Sequence, residues 1–77
     1  MAKDITEKNY KGYEYDIIVQ ELHPPLLEKY HYFGIAKDIF KDTERIRFDL
    51  KEVYGETIED TKKKTDQQVK NKIDEQA

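Results

Sequence analysis

Residues 13–20 read YEYDIIVQ, and this stretch decides the fold that we predict for the chain. Tyrosine, isoleucine and valine stand at every second position, with mainly polar residues between them. Such alternation is typical of a β-strand with one buried face. Ile18 interrupts the polar face, which indicates that part of that face is covered as well. We predict that the strand begins near Tyr10 and ends at His23-Pro24-Pro25, because two consecutive prolines cannot donate backbone hydrogen bonds.

Two further segments carry strand patterns. Residues 30–36 read YHYFGIA, in which Gly34 indicates a bulge or a close approach by a neighbouring side chain. Residues 45–50 read RIRFDL, and their apolar side chains alternate with charged ones. Leu26 and Leu27 follow the two prolines, so we expect this connection to fold back onto the core, although a proline-rich docking peptide is an alternative. The connections are too short for the crossovers of a parallel sheet, so the sheet is expected to be antiparallel.

The remainder of the chain is predicted to form one helix. Gly55-Glu56-Thr57 ends the strand region, and Thr57 has the side chain of an N-cap residue. The helix has a thin stripe of apolar and threonine residues at spacings of three or four: Ile58, Thr61, Thr65, Val69 and Ile73. It must pack on the sheet, because a helix of this composition has little stability by itself. The predicted fold class is therefore α+β, with a three-stranded antiparallel β-meander packed by one C-terminal α-helix.

The length and the hydropathy of the chain predict one small domain. Its 77 residues are too few for two cores. Residues 1–9 are polar apart from Ile5, and we predict a flexible leader there, followed by a single domain over residues 10–75. The chain has neither an apolar run of membrane-spanning length nor the apolar segment of a signal peptide, so we expect a cytoplasmic location.

The composition excludes several kinds of chemistry. Cysteine and serine are absent, which removes disulfides, zinc–thiolate sites, thiol nucleophiles and serine hydrolases. The spacing of His23 and His31 matches no zinc pattern, and we expect no metal and no cofactor. With 17 acidic residues in the chain, pairs of carboxylates arise by chance, and a domain of this size has little room for a catalytic pocket. We therefore predict that the protein is not an enzyme.

Two short motifs suggest a family. Tyr10-Lys11-Gly12-Tyr13 opens a strand, and Gly55-Glu56-Thr57, with an acidic residue soon after, opens a helix. In these features the segment from Tyr10 to Ile73 resembles a recurrent type of small prokaryotic β-β-β-α domain and, distantly, the sheet-and-helix unit of HicB-type antitoxins. The resemblance implies the same fold. It implies no activity, because no DNA-binding segment of the antitoxin kind follows Ile73.

The function that we predict is a protein-interaction or regulatory module. A small core, exposed strand edges and extra aromatic residues are typical of a module that completes itself by pairing with another chain. The expected partner is another protein or a second copy of this chain. The side chains that we predict at the interface are Tyr13, Tyr15, Tyr30, Tyr32 and Arg47.

The alternative is a nucleic-acid-binding module. Tyr30 and Tyr32, together with Arg45 and Arg47, could stack bases and hold phosphates on one face of the sheet, and residues 62–64, KKK, add positive charge. The formal net charge of −3 disfavours this alternative, because phosphate contacts supply much of the binding energy in such complexes. One exposed patch that joins these four residues would favour nucleic acid, whereas a tyrosine and aliphatic face would favour a protein partner.

Overall fold

A computed structural model describes residues 3–76, which form one sheet and one helix. The elements are β1 Lys3–Tyr10, β2 Tyr13–Leu26, β3 Tyr30–Lys41, β4 Glu44–Arg45, β5 Val53–Gly55 and α1 Ile58–Glu75. Strands β1, β2 and β3 are antiparallel neighbours in chain order, and the short strands β4 and β5 pair with different parts of β3. The predicted α+β class, an antiparallel β-meander packed by one C-terminal helix, is confirmed.

The alternation of β2 determines where the core lies. Tyr13, Tyr15, Ile17 and Val19 are buried side by side, and together with Ile39, Val69 and Ile73 they form the core. These β2 side chains point to the side of the sheet on which α1 packs. We call this side the helix face and the opposite side the open face.

The helix begins and packs as its sequence predicts. Thr57 is the N-cap, and its Oγ1 accepts a hydrogen bond of 3.0 Å from the backbone N–H of Asp60. The side chains that α1 buries are Thr61, Thr65, Asp66, Val69 and Ile73, so the predicted stripe is the packed one. Two of these are threonines, whose hydroxyls donate to the backbone carbonyls four residues earlier and are thereby satisfied.

Two glycines in the sheet allow the helix to approach closely. A Cβ at Gly34 would overlap the Oγ1 atom of Thr65 and lie 3.0 Å from the Cγ2 atom of Thr61. A Cβ at Gly55 would overlap the Oγ1 atom of Thr61. The close approach predicted at Gly34 is thus confirmed, and the threonines of α1 lie directly against the backbone of β3 and β5.

The prediction of a flexible leader over residues 1–9 is wrong for residues 3–9, whereas residues 1 and 2 lie outside the described part of the chain. Residues 3–10 form β1, which pairs with β2 along its whole length. The two-residue turn has φ values of 51° at Lys11 and 84° at Gly12. Such a turn matches the twist of the flanking strands. Two of its helix-face side chains bond to α1: Asp4 lies 2.9 Å from the Nζ of Lys62, and the hydroxyl of Tyr10 donates to Asp74.

The prolines do not end β2, and the connection that follows them does not fold back onto the core. The pairing with β3 is interrupted between Glu21 and Leu26, so Pro24 and Pro25 lie in a bulge where no donor is required. Beyond the bulge, Leu27 is 80% exposed and has a φ of 56°. Both sequence expectations for this segment are therefore wrong.

The prediction of a third strand over residues 45–50 is also wrong, because the chain leaves the sheet after β4. The apolar side chains of the segment after β4, Ile46, Phe48 and Leu50, are half-buried against the core beside α1. The rings of Phe48 and Tyr13 lie 6.1 Å apart. The backbone N–H of Lys51 donates to Gln68 Oε1 at 2.7 Å, and its carbonyl accepts from Gln68 Nε2 at 2.8 Å. The alternating pattern therefore reflects one side of an extended segment that packs beside the helix.

Candidate protein-interaction surface

A row of three isoleucines crosses the open face. In the strand register, Ile5 of β1 lies opposite Ile18 of β2, and Ile18 lies opposite Ile35 of β3. Residues directly opposite in neighbouring antiparallel strands share a face and stand close together. Ile5 is 58% exposed, whereas Ile18 and Ile35 are half-buried by their neighbours. We call Ile5, Ile18 and Ile35 the isoleucine row.

Aromatic side chains extend this row on one side. Phe33 of β3 lies opposite Gln20 of β2 and opposite Tyr54 of β5, so Phe33 and Tyr54 share the open face. Both are half-buried. Among residues 3–76, α1 packs on β2, β3 and β5 from the helix face, and the segment after β4 joins the core on that same side. The isoleucine row and the two aromatic rings are therefore not covered by any of these elements.

Charged side chains border the row on its other side. Glu7 of β1 lies opposite Asp16 of β2, which lies opposite Lys37 of β3. Glu7 and Asp16 also line a shallow recess together with Glu14 and Asp38. Like charges directly opposite each other in a sheet are destabilising. The open face thus combines an apolar centre with an acidic end that is only partly neutralised.

One lateral edge of the sheet carries free backbone groups. In a two-residue hairpin the residues that flank the turn, here Tyr10 and Tyr13, form a hydrogen-bonded pair, and such pairs alternate along the ladder. The backbone N–H and C=O groups of Lys3, Ile5, Glu7 and Asn9 therefore point away from β2. On the opposite side of the sheet, β4 and β5 pair with the outer edge of β3.

Two of the tyrosines predicted at the interface are in the core instead. Tyr13 is 8% exposed and Tyr15 is 2% exposed, so neither can line an accessible surface, and the prediction is wrong for both. The hydroxyl of Tyr15 donates to Asp66 Oδ1 at 2.5 Å, and Asp66 Oδ2 lies 3.1 Å from Lys70 Nζ. Burial, and then the hydrogen bond to Asp66, raise the pKa of the Tyr15 phenol. This polar group supports the packing of α1 on β2.

The other three predicted residues do not form one patch. Tyr30 and Tyr32 are half-buried near the start of β3, and Tyr32 lies opposite Gly55 on the helix face. Arg47 is exposed in the segment that leaves the sheet.

Arg45, which the nucleic-acid alternative adds, lies opposite Phe40 at the other end of β3 and pairs with Asp38 at 3.6 Å. Phe40 lies eight positions beyond Tyr32, which is about 26 Å along a strand. The four-residue tyrosine and arginine patch is therefore not assembled.

The lysines of the helix are largely paired with carboxylates. Lys62 Nζ lies 2.9 Å from Asp4, and Lys64 Nζ lies 3.1 Å from Asp60. Lys70 is paired with Asp66, as described above. The basic patch that the run of lysines predicts is thus largely neutralised.

The histidines and acidic residues do not gather into a metal site. Within residues 3–76, no cluster of three or more histidine and carboxylate side chains is placed to hold a metal ion. His23 and His31 are both exposed, and His23 Nε2 lies 3.5 Å from Glu21. No helix among the described residues has both the length and the apolar character needed to cross a membrane.

Comparison of the chain with protein-family models, with curated proteins and with solved structures finds no match. The resemblance to HicB-type antitoxins therefore stays a prediction.

Sequence reasoning did not assign the isoleucine row to the candidate interface. A signal was present, because Ile18 breaks the polar face of β2, and Phe33 and Ile35 share one parity in β3. The missing information was the register, which places Ile18 between Ile5 and Ile35. Ile5 could not be included, since its segment was predicted to be a leader.

Proposed function

We propose that this protein is a small, non-catalytic protein-interaction module that contacts a partner protein through its open face. The observation that carries the proposal is the isoleucine row, which lies with Phe33 and Tyr54 on a side of the sheet that no described element covers. The chain is 40% charged, so a contiguous apolar surface is out of keeping with its composition. Uncovered apolar surface with a polar border is typical of protein-interaction sites.

The physical benefit of binding comes from the centre of this surface. Each Å² of apolar area removed from water contributes about 25 cal/mol. Ile5 has the most to gain, since 58% of it is exposed, and aromatic side chains such as Phe33 and Tyr54 are favoured at interfaces. The charges of Glu7, Asp16 and Lys37 at the border would select the orientation of the partner rather than supply the affinity.

The test is a comparison of variants as immobilised baits. Ile5→Lys places a charge in the isoleucine row at an exposed position, so the fold should be retained. Gln67→Lys is the matched control, because it adds the same charge at an exposed position of α1. We expect the proteins that bind the wild-type bait to bind the Gln67→Lys bait equally well and to be absent from the Ile5→Lys bait. Equal recovery of these proteins by both variants would overturn the proposal.

A second measurement addresses the alternative function directly. The chain is titrated with single-stranded and duplex oligonucleotides at increasing salt concentrations. We expect no binding at physiological salt. Binding that weakens steeply with salt would place the nucleic-acid alternative ahead of the protein-interaction module.

A further inference from the structure

We propose that the chain forms a dimer with a second copy of itself, in which the free edge of β1 pairs antiparallel with β1 of the second copy across a two-fold axis at Ile5. The inference goes beyond the proposed function, because the paired edge borders the open face and leaves that face uncovered for a partner protein. It commits to one register, in which Ile5 lies opposite Ile5 of the second copy and Lys3 lies opposite Glu7 of the second copy.

The backbone of β1 has the free hydrogen-bonding groups that this pairing requires. The N–H and C=O groups of Lys3, Ile5 and Glu7 point outward, as the geometry of the hairpin requires. In the proposed register these three residues form hydrogen-bonded pairs with Glu7, Ile5 and Lys3 of the second copy. No pair between β1 and β2 has to break, so the free edge can accept a strand without rearrangement.

The charges favour this register over its neighbours. A pairing centred on Glu7 would place two carboxylates opposite each other, and a pairing centred on Thr6 would place Ile5 against Glu7. The pairing centred on Ile5 instead creates two Lys–Glu pairs, each with opposite charges directly across the strands. It also brings Lys3 of the second copy beside Glu7, which within its own chain faces the like-charged Asp16.

The apolar side chains also continue across the axis. The isoleucine row of one copy ends at Ile5, its most exposed member, at the edge of the sheet. Pairing at Ile5 joins the two rows into one band of six isoleucines on a continuous open face. The helix does not obstruct the approach, because α1 packs mainly on β2, β3 and β5 and reaches β1 from the helix face, through side-chain pairs such as Lys62 with Asp4, rather than from its free edge.

Reversing the charges of Lys3 and Glu7, singly and together, tests the register. For each variant the mass of the protein in solution is measured over a range of concentrations, which gives the strength of the dimer. Lys3→Glu and Glu7→Lys each place like charges across the proposed axis, so each should weaken the dimer about tenfold or more. Lys3→Glu combined with Glu7→Lys restores opposite charges and should restore the dimer. Within one chain the two side chains are four residues apart on a strand, about 13 Å, so a restored dimer can come only from contact between copies.

A single cysteine provides an independent readout, because the native chain has none. In the proposed register the Cα atoms of two Ile5→Cys residues are about 5.5 Å apart, which suits a disulfide. Asn9→Cys is the control, since Asn9 lies on the same edge and is exposed, but its two copies would be about 26 Å apart. A mild oxidant should therefore crosslink Ile5→Cys rapidly and Asn9→Cys only slowly.

The outcomes separate the inference from the proposed function. A monomeric mass at all concentrations, equal crosslinking of the two cysteine variants, or a double reversal that fails to recover the dimer would each overturn the β1 pairing. If the chain is monomeric but other proteins are still lost from the Ile5→Lys bait, the pairing fails and the interaction module stands. A dimer that follows the charge cycle, with the expected crosslink, supports the pairing.

Discussion

The two faces of the sheet contrast most clearly at two neighbouring residues of β2. Ile17 is fully buried on the helix face, whereas Ile18 is half-buried on the open face. The helix face is tightly fitted, with threonines of α1 against the glycines of the sheet and a buried tyrosine bonded to an aspartate. The packing that stabilises this small chain is therefore concentrated on one face, which leaves the apolar surface of the other face free for contact.

Alanine substitutions at these two isoleucines should differ strongly in their effect on stability. Ile17→Ala removes side-chain volume from the centre of the core and should lower the free energy of unfolding by about 2–5 kcal/mol. Ile18→Ala removes the same atoms from a half-exposed site and should cost about 1 kcal/mol, near the average for a point substitution. Urea unfolding followed by circular dichroism measures both.

The matched pair has its own control, because residue type, strand and substitution are identical. If Ile18→Ala destabilised the chain as much as Ile17→Ala, the open face would contribute to the core as much as the helix face does. The conclusion that stability is concentrated on the helix face would then be wrong.

A second expected effect concerns the fit between helix and sheet. Gly34→Ala places a Cβ where Thr65 Oγ1 and Thr61 Cγ2 now lie, and overpacking of this kind costs about 1–3 kcal/mol. Thermal unfolding of four proteins tests it: wild type, Gly34→Ala, Thr65→Ala and the double variant. The loss caused by Gly34→Ala should be smaller in the Thr65→Ala background, and strictly additive losses would show that the two side chains do not compete for the same space.

The third expected effect is at the start of the helix. Thr57→Ala removes the oxygen that accepts from the N–H of Asp60 and should cost about 1 kcal/mol. Thr57→Ser keeps that oxygen and serves as the control, with melting temperature as the measurement. An unchanged melting temperature for Thr57→Ala would show that the helix does not depend on this cap.

The smallest expected effect compares two carboxylates of β1 that point to opposite faces. The hydrogen bond with Lys62 holds the pKa of Asp4 below its ordinary value. Its contribution to stability is therefore present above the unfolded value of 3.8 and is lost as the pH falls through the lower folded value. Asp4→Asn removes this titrating group, so the variant should lose less stability than the wild type below pH 4. The difference should be small, because exposed ion pairs contribute little.

Glu7→Gln is the counterpart on the open face. It removes a charge that lies opposite Asp16, so at protein concentrations too low for pairing through β1 it should leave stability at neutral pH unchanged or slightly higher. Urea unfolding at a series of pH values measures both variants. A drop in stability with Glu7→Gln at neutral pH would mean that the acidic end of the open face is a stabilising feature.

Much of the fold could be predicted, because its signals are local. The alternation around Ile17 and the helical stripe from Thr61 to Ile73 are periodic patterns, and each period fixes an element and its buried side. The cap at Thr57 and the close approach at Gly34 follow from single residues whose chemistry allows few other uses.

The remainder could not be predicted, since it depends on partners distant in the chain. β1 has few apolar residues, and it is held by pairs such as Asp4 with Lys62 and Tyr10 with Asp74, which no local pattern reveals. Two consecutive prolines predict the end of a strand, although a bulge can accommodate them inside one.

The candidate site was missed for a related reason. Tyr13 and Tyr15 share the parity of Ile17, so all three are buried together when the helix covers their face of the sheet. The alternation in the sequence shows which residues share a face of the strand. It does not show on which of the two faces the helix packs. The isoleucine row required the register of three strands as well, including one that had not been predicted.

The two lateral edges of the sheet differ in whether they can accept a further strand. The outer side of β3 is occupied near its end by Glu44–Arg45 and near its start by Val53–Gly55, so it offers no continuous template for an incoming strand. Among residues 3–76, β1 is then the one long edge to which a further strand can be added, and pairing there uses that edge in both molecules. A chain built in this way can join one other copy and stop, which protects it from the open-ended polymerisation that leads to fibres.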